Sequence, residues 1–324
     1  MHISFTGLAI VAAVAFGVPL VLGFFPRVRL PSVVVEIAMG IVIGPSVMGW
    51  VKVDAPIQVL SLLGLAALLF LAGLEIEFHR LKGRPLRLAS FGFLISLGLA
   101  LAAGYGLKGA GLIQTPLFIS IVLAATALGL IIPILKDWGE LATDFGQLVV
   151  AAASISDFAT VILLSLFFSR ELVSTTHQVI QLASFLLLAA AVVVLIARGG
   201  RSSALSRVLR RLQDTSAQIR VRGAALLLVA LAAVAQRFGL EAILGAFIAG
   251  AILALVGHDA TQTHPLFRVK LEAIGFGVLV PVFFVTSGVK FNLNALFQGP
   301  SGIIQVPVYF VALLVVRGLP AWIY

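Results

Sequence analysis

The stretch Val149-Val150-Ala151-Ala152-Ala153-Ser154-Ile155-Ser156-Asp157-Phe158-Ala159-Thr160-Val161-Ile162-Leu163-Leu164 decides how this chain is read. It sits inside an apolar run at 145–169, long enough to cross a bilayer as a helix of about 20 residues. Asp157 falls near the middle of that run. A carboxylate at mid-membrane depth costs about 3 kcal/mol on insertion scales, and ionisable groups kept there mark ion pathways or proton relays. Ser154 at i−3 and Thr160 at i+3 share the helical face of Asp157, while Ser156 points about 100° away.

The rest of the chain agrees with a membrane reading. Its 324 residues are 61% hydrophobic and 11% charged, where a soluble domain carries about 25% charged residues. Apolar runs near 6–25, 31–48, 57–75, 86–107, 115–135, 145–169, 176–197, 219–236, 240–256, 270–289 and 302–324 predict eleven transmembrane helices, an all-α polytopic membrane protein. The absence of cysteine excludes disulfides, thiolate metal sites and a cysteine nucleophile. His2, His79, His177, His258 and His264 show no metal-ligand spacing. The chain has no G-x-x-x-x-G-K-[ST], G-x-S-x-G or H-E-x-x-H pattern. An ATP-driven pump is unsupported within it, and no catalytic residue or cofactor is expected.

The net charge of +9 invites a nucleic-acid reading, but its placement argues against one. With the eleven helices crossing alternately, sixteen of the 22 Lys and Arg fall on one side, in the segments 27–29, 80–87, 136, 198–222 and 268–270. The positive-inside rule makes that side cytoplasmic and puts the N-terminus outside. The first helix lacks a basic segment before it, with Arg27 and Arg29 coming after, so it is read as a span and not as a cleaved signal. The connection Arg198–Arg222 is read as a solvated topogenic loop, or as one carrying a short interfacial helix over 206–212.

Two segments are poor straight helices. In the fifth run Thr126 and Gly129 lie near the centre, and Pro133 removes the hydrogen bond to the Gly129 carbonyl. This is either a Pro kink or an unwound stretch whose freed carbonyls line a cavity. The segment Val280–Val289 carries Pro281, Thr286, Ser287 and Gly288, and is either a second breakpoint or a helix cap.

Four ionisable groups fall within or at the edges of spans: Glu36, Asp157, Glu241 and Arg317. Glu36 and Glu241 lie close enough to helix ends to reach an interface. Glu75 and Glu77 follow the third helix beside Arg80 and Lys82. Asp157 and Arg317 lie deep in their helices, and the least costly arrangement has both facing one polar interior. They form either a fixed ion pair or a carboxylate that exchanges its proton for a cation beside a tuning charge. Alkali cations take oxygen ligands, and Asp157, Ser154, Ser156, Thr160 and Thr126 supply them. Glu36, Glu75, Thr286 and Ser287 are accessory candidates. Hydroxyls on apolar helices commonly bond the carbonyl at i−4 of their own helix, which competes with ligation.

Several stretches then carry a resemblance. Leu30-Pro31-Ser32-Val33-Val34-Val35-Glu36-Ile37-Ala38-Met39-Gly40-Ile41-Val42-Ile43-Gly44-Pro45-Ser46, Phe70-Leu71-Ala72-Gly73-Leu74-Glu75-Ile76, Gly245-Ala246-Phe247-Ile248-Ala249-Gly250 and Pro281-Val282-Phe283-Phe284-Val285-Thr286-Ser287-Gly288 resemble motifs of the monovalent cation:proton antiporter-2 group of the cation/proton antiporter superfamily. That group is Kef-like and related to the NapA and NhaA sodium/proton antiporters. The resemblance runs from about residue 10 to the end. It implies an inverted-repeat fold with a core and a scaffold domain, the scaffold forming a homodimer. By that resemblance, 1–80 is scaffold helices one to three and 81–171 is core helices four to six. Residues 172–222 are a linker helix with the basic cytoplasmic loop, 223–300 is scaffold helices eight to ten, and 301–324 begins the second half of the core.

The implied function is exchange of Na⁺ or K⁺ for H⁺ by alternating access at Asp157, the alkali cation being the only metal. The implied alternatives are a Kef-like gated potassium efflux system and a sodium-coupled symporter on a similar fold. The unwound segment Thr126-Ala127-Leu128-Gly129 would lie next to Asp157. Where electrogenic relatives have Asp before the key Asp, and others Asn or Gln, this chain has Ser156, which implies a lone acid and electroneutral exchange. Arg317, in Val315-Val316-Arg317-Gly318-Leu319-Pro320, matches the family's basic position. An arginine does not release its proton, so it tunes the site rather than carrying protons. The family has two further helices after the position of Tyr324, so the chain is expected to lack them. It is also expected to lack the cytosolic regulatory domain that often follows. The lipid bilayer and a second copy of the chain are the expected partners; nucleic acid is not. The resemblance also implies the inner membrane of a bacterium as the expected location.

Overall fold

A computed structural model describes residues 5–25, 30–74, 84–126, 131, 135, 139–140, 143–168, 175–200, 212, 218–256, 265–297 and 300–322. Every regular element among the described residues is helical: α1 (Phe5–Phe24), α2 (Ser32–Ile43), α3 (Ala55–Leu74), α4 (Arg84–Gly109), α5 (Pro116–Ala124), α6 (Asp144–Phe168), α7 (Thr175–Gly200), α8 (Ile219–Arg237), α9 (Ala242–Val256), α10 (Pro265–Ile274), a π-helical turn (Gly275–Leu279), α11 (Val280–Lys290), α12 (Leu293–Phe297) and α13 (Pro300–Ala321). Seven helical segments among them are long and apolar enough to cross a membrane: Phe5–Phe24, Ala55–Leu74, Leu86–Gly109, Asp144–Phe168, Ile219–Arg237, Leu266–Lys290 and Ile304–Ala321. Ser32–Ile43, Ile180–Ile196 and Ala242–Val256 are shorter apolar helices. The protein is an integral, multi-pass helical membrane protein.

Polar caps set the helix starts. The Asp54 carboxylate accepts the Ile57 N–H at 3.1 Å and opens α3. The Thr143 hydroxyl accepts the Gly146 N–H at 3.1 Å and opens α6. Both satisfy donors that the first helical turn leaves without a partner.

The chain divides into two compact units. The first comprises Met1–Leu74, Ala189–Ala233 and Gly245–Phe297. Its core gathers Val11 of α1, Ile43 of α2, Ile57 of α3 and Val282, Val285 and Val289 of α11, with Val51 from the α2–α3 connection. Glycines bring its helices together backbone to backbone. A methyl group on Gly40 of α2 would strike the Val285 carbonyl and lie 3.0 Å from the Gly288 Cα. A methyl on Gly250 of α9 would strike the Phe70 carbonyl and lie 2.8 Å from Leu74 N, while one on Gly73 would strike the Phe247 carbonyl in return. Small residues allow such close approach between membrane helices, where packing replaces the hydrophobic effect as the driving force. Gly250→Ala is therefore expected to destabilise the fold by about 1–3 kcal/mol, read as a lower melting temperature of the detergent-solubilised protein. At the far end of the α2–α11 pair, the Ser46 hydroxyl donates to the Phe291 carbonyl at 2.9 Å and accepts the Leu293 N–H at 3.2 Å.

The segment Val280–Val289 is not a breakpoint but the C-terminal part of a helix, whose end the Phe291 N–H caps on the Gly288 carbonyl. It lies inside a helix that continues from α10 through the π turn to Lys290. Pro281 cannot donate to the Gly277 carbonyl, and in a regular α-turn its ring would clash with it. The wider turn, closed by the Val280 N–H on the Gly275 carbonyl five residues back, absorbs that conflict.

The second unit comprises Glu75–Leu188, Val234–Leu244 and Gln298–Tyr324. Its core is Phe93 and Ala100 of α4, Leu123 and Ala124 of α5, and Val316 of α13, with Ile155, Ala159 and Leu163 of α6 packed against it. Gln305 of α13 donates its side-chain amide to the Leu112 carbonyl at 2.5 Å, fastening α13 to the α4–α5 connection.

Candidate ion site around Asp157

The site forms where α5 stops. Pro116 starts this helix, and it ends at Ala124, where Ala125 takes an extended conformation (φ −71°, ψ 148°). Thr126 follows outside the helix, and Ile131 and Leu135 are helical again. Ala127–Leu130, with Gly129, and Pro133 lie outside the described residues. The stop leaves the last carbonyls of α5 without intrahelical donors. One of them finds its donor on α6: the Ser156 hydroxyl, 1% exposed, gives its hydrogen to the Ala124 carbonyl at 2.7 Å.

The same hydroxyl oxygen accepts two further bonds. Thr126 Oγ1 donates to it at 3.1 Å, and Arg317 Nη2 donates to it at 2.9 Å. A hydroxyl has one hydrogen and two lone pairs, and all three of Ser156 are spent. The bond from Arg317 is charge-assisted and the strongest of the three in kind. Ser156 therefore joins the broken end of α5, the middle of α6 and the cation of α13, one residue from the Asp157 carboxylate. Asp157 itself is half-buried, as is Arg317.

Ser154 and Thr160 return their hydrogens to their own helix. Ser154 Oγ donates to the Val150 carbonyl at 2.8 Å, and Thr160 Oγ1 to the Ser156 carbonyl at 2.8 Å, with the Asp157 carbonyl at 3.1 Å. These bonds use the hydrogen only, so each oxygen keeps lone pairs for a cation. Thr126 is in the same position, having donated to Ser156.

The remaining described candidates belong to the first unit. Glu36 is buried on α2, and Thr286 is fully buried on α11, its hydroxyl having no hydrogen-bond partner among the described residues. Ser287 bonds the Phe283 carbonyl at 2.8 Å. All three lie in the first unit, whereas Asp157, Ser156, Thr126 and Arg317 lie in the second. Glu75 lies outside the described residues. The sequence reading missed Ser96 of α4, whose hydroxyl donates to the Val316 carbonyl at 3.1 Å beside Arg317. The only sequence signal for it was Pro320, four residues beyond Val316.

Comparison with known proteins adds an independent line. YjbQ of Bacillus subtilis, which carries the name of an Na⁺/H⁺ antiporter, is 33% identical over 98% of this chain and 53% of its own length. The Na⁺/H⁺-K⁺ antiporter GerN of Bacillus cereus is 27% identical over 83% of this chain and 68% of its own. An Na⁺/H⁺ antiporter of Enterococcus hirae is 26% identical over 83% of this chain and 69% of its own. The chain thus spans about half the length of YjbQ and about two thirds of the other two. Residues 12–324 match the family described as sodium/hydrogen exchanger, transmembrane, so the break in α5, the buried knot at Ser156 and the mid-helix Asp157 belong to a member of that exchanger family.

Proposed function

We propose that the protein is a secondary transporter that exchanges Na⁺ or K⁺ for H⁺ at Asp157. The observation that carries this reading is the Ser156 knot, which holds a broken helix end and a fixed cation next to a mid-membrane carboxylate. One carboxylate accepts either a proton or a hard cation. The cation adds oxygen ligands from Ser154, Thr160 and Thr126 and from backbone at the break in α5. Because the same group serves both ions, loading one displaces the other. Arg317 keeps its charge throughout, and Ser156 brings no second acid, so each cycle exchanges one H⁺ for one cation without net charge. The name of GerN supports including K⁺ beside Na⁺.

The wider architecture belongs to the same proposal. The chain contributes eleven crossings in an inverted-repeat arrangement, with the N-terminus outside. Residues 81–171 and 301–324 form the ion-carrying core, and 1–80 and 223–300 a scaffold that pairs with a second copy. The gathering of α4, α5, α6 and α13 into one compact unit supports that division. Exchange then proceeds as the core moves against the scaffold and opens Asp157 to each side in turn.

Binding is testable apart from transport. A ligand present at a hundred times its Kd stabilises the folded state by about 2.7 kcal/mol. The melting temperature of the purified protein is therefore expected to rise with NaCl or KCl relative to choline chloride, and not to rise in the Asp157→Asn variant. A melting temperature that ignores Na⁺, K⁺ and Li⁺ alike, or a rise that survives Asp157→Asn, overturns the proposal.

A further inference from the structure

Pro320 lies inside α13 and has no N–H to give the carbonyl four residues back, which belongs to Val316. Val316 is fully buried, and buried carbonyls are paired in native structures. Its donor comes from another helix. Ser96 of α4, 3% exposed, bonds the Val316 carbonyl at 3.1 Å. Ser120, Ser154 and Thr160 each bond the carbonyl four residues back on their own helix. Ser96 instead bonds a carbonyl on another helix, one that Pro320 has left without its usual donor. Arg317 is the next residue. Its side chain is held by Ser156 on α6, and the backbone that carries it is held by Ser96 on α4.

We propose that Ser96 is a positioning residue for exchange, substituting for the missing Pro320 N–H and thereby setting where the Arg317 guanidinium stands relative to Ser156 and Asp157. Without this hydroxyl the last turn of α13 has an open carbonyl and can rotate about the proline gap. The guanidinium then shifts, and with it the balance between proton and cation at the carboxylate. The proposal rests on Arg317 being the tuning charge of the Asp157 site.

The test uses the full-length protein in proteoliposomes, measuring Na⁺-driven H⁺ movement across pH and Na⁺ concentration. Ser96→Ala is expected to raise the apparent KM for Na⁺ about five-fold, the worth of one hydrogen bond, and to displace the pH profile. Ser96→Thr keeps a hydroxyl and retains both wild-type values. Adding Pro320→Ala to Ser96→Ala restores an N–H for the Val316 carbonyl and returns both values toward wild type. A role limited to stability lowers the melting temperature and the maximal rate and leaves KM and the pH profile in place, which overturns the proposal. So does a double variant as impaired as Ser96→Ala alone. If Ser96→Ala does not accumulate, Ser96→Thr and Ser96→Val are compared in the Pro320→Ala background. There the two should behave alike, and a persisting difference overturns the proposal. Exchange that survives Asp157→Asn defeats the site reading itself. Exchange lost in Asp157→Asn but unchanged in KM and pH profile by Ser96→Ala defeats only the role of Ser96.

Discussion

Asp157→Asn is expected to reduce Na⁺- and K⁺-driven proton movement in proteoliposomes by about a hundredfold or more, the scale on which positioned acid–base groups act. The amide matches the carboxylate in size and keeps an acceptor oxygen, but it carries neither a charge for the cation nor a proton to exchange. Folding is expected to survive, because the knot that organises the site runs through Ser156 and not through the Asp157 side chain alone. Asp157→Glu retains the chemistry with one more methylene of reach and should keep partial activity. A rate for Asp157→Asn within a few-fold of wild type would remove this residue from the exchange cycle.

The second large effect is expected at Ser156. Ser156→Ala takes the acceptor from the Arg317 guanidinium and the Thr126 hydroxyl, and the donor from the Ala124 carbonyl. A hydrogen bond to a charged group contributes about 1.5–3 kcal/mol, so exchange should fall by about ten- to a hundredfold. Ser156→Asn makes the complementary prediction. Its amide can donate to the Ala124 carbonyl and accept from both Arg317 and Thr126, so it should retain most of the activity. Equal losses in Ala and Asn variants would show that volume at this position, and not its bonds, is what matters. Transport rates and melting temperatures of the purified variants separate the two.

The long apolar helices were legible because length and hydropathy are local properties. The run predicted at 145–169 is the helix Asp144–Phe168. The return of Ser154 and Thr160 to their own helix was also legible, since an apolar surrounding offers a hydroxyl few other acceptors. The break in the fifth run was legible at Thr126, which follows α5 outside the helix, while Ala127–Leu130 and Pro133 lie outside the described residues. What closes the end of α5 at Ala124 was not legible. That end is satisfied by a hydroxyl 32 residues further along the chain. The use of Ser156 was hidden for the same reason: Arg317 reaches it across 161 residues of sequence, and no local spacing encodes such a meeting. The helix over 270–289 was legible, but the wider turn before Pro281 was not, because proline was weighed as a breaker while the adjoining glycines permit a turn that carries the helix past it.

That wider turn has a consequence for the two halves of its helix. Each residue advances an α-helix by about 100°, so a turn that holds more residues shifts the phase of everything beyond it. The stripe on Pro265–Ile274, with Arg268 and Glu272 exposed and paired at 2.5 Å, need not line up with the stripe on Val280–Lys290 that presses Gly288 against α2. One helix can therefore answer two environments that no single heptad-like pattern would satisfy. Deleting one residue within Gly275–Leu279 would bring both stripes into one phase and force the chain to give up either its exposed ion pair or its glycine seam.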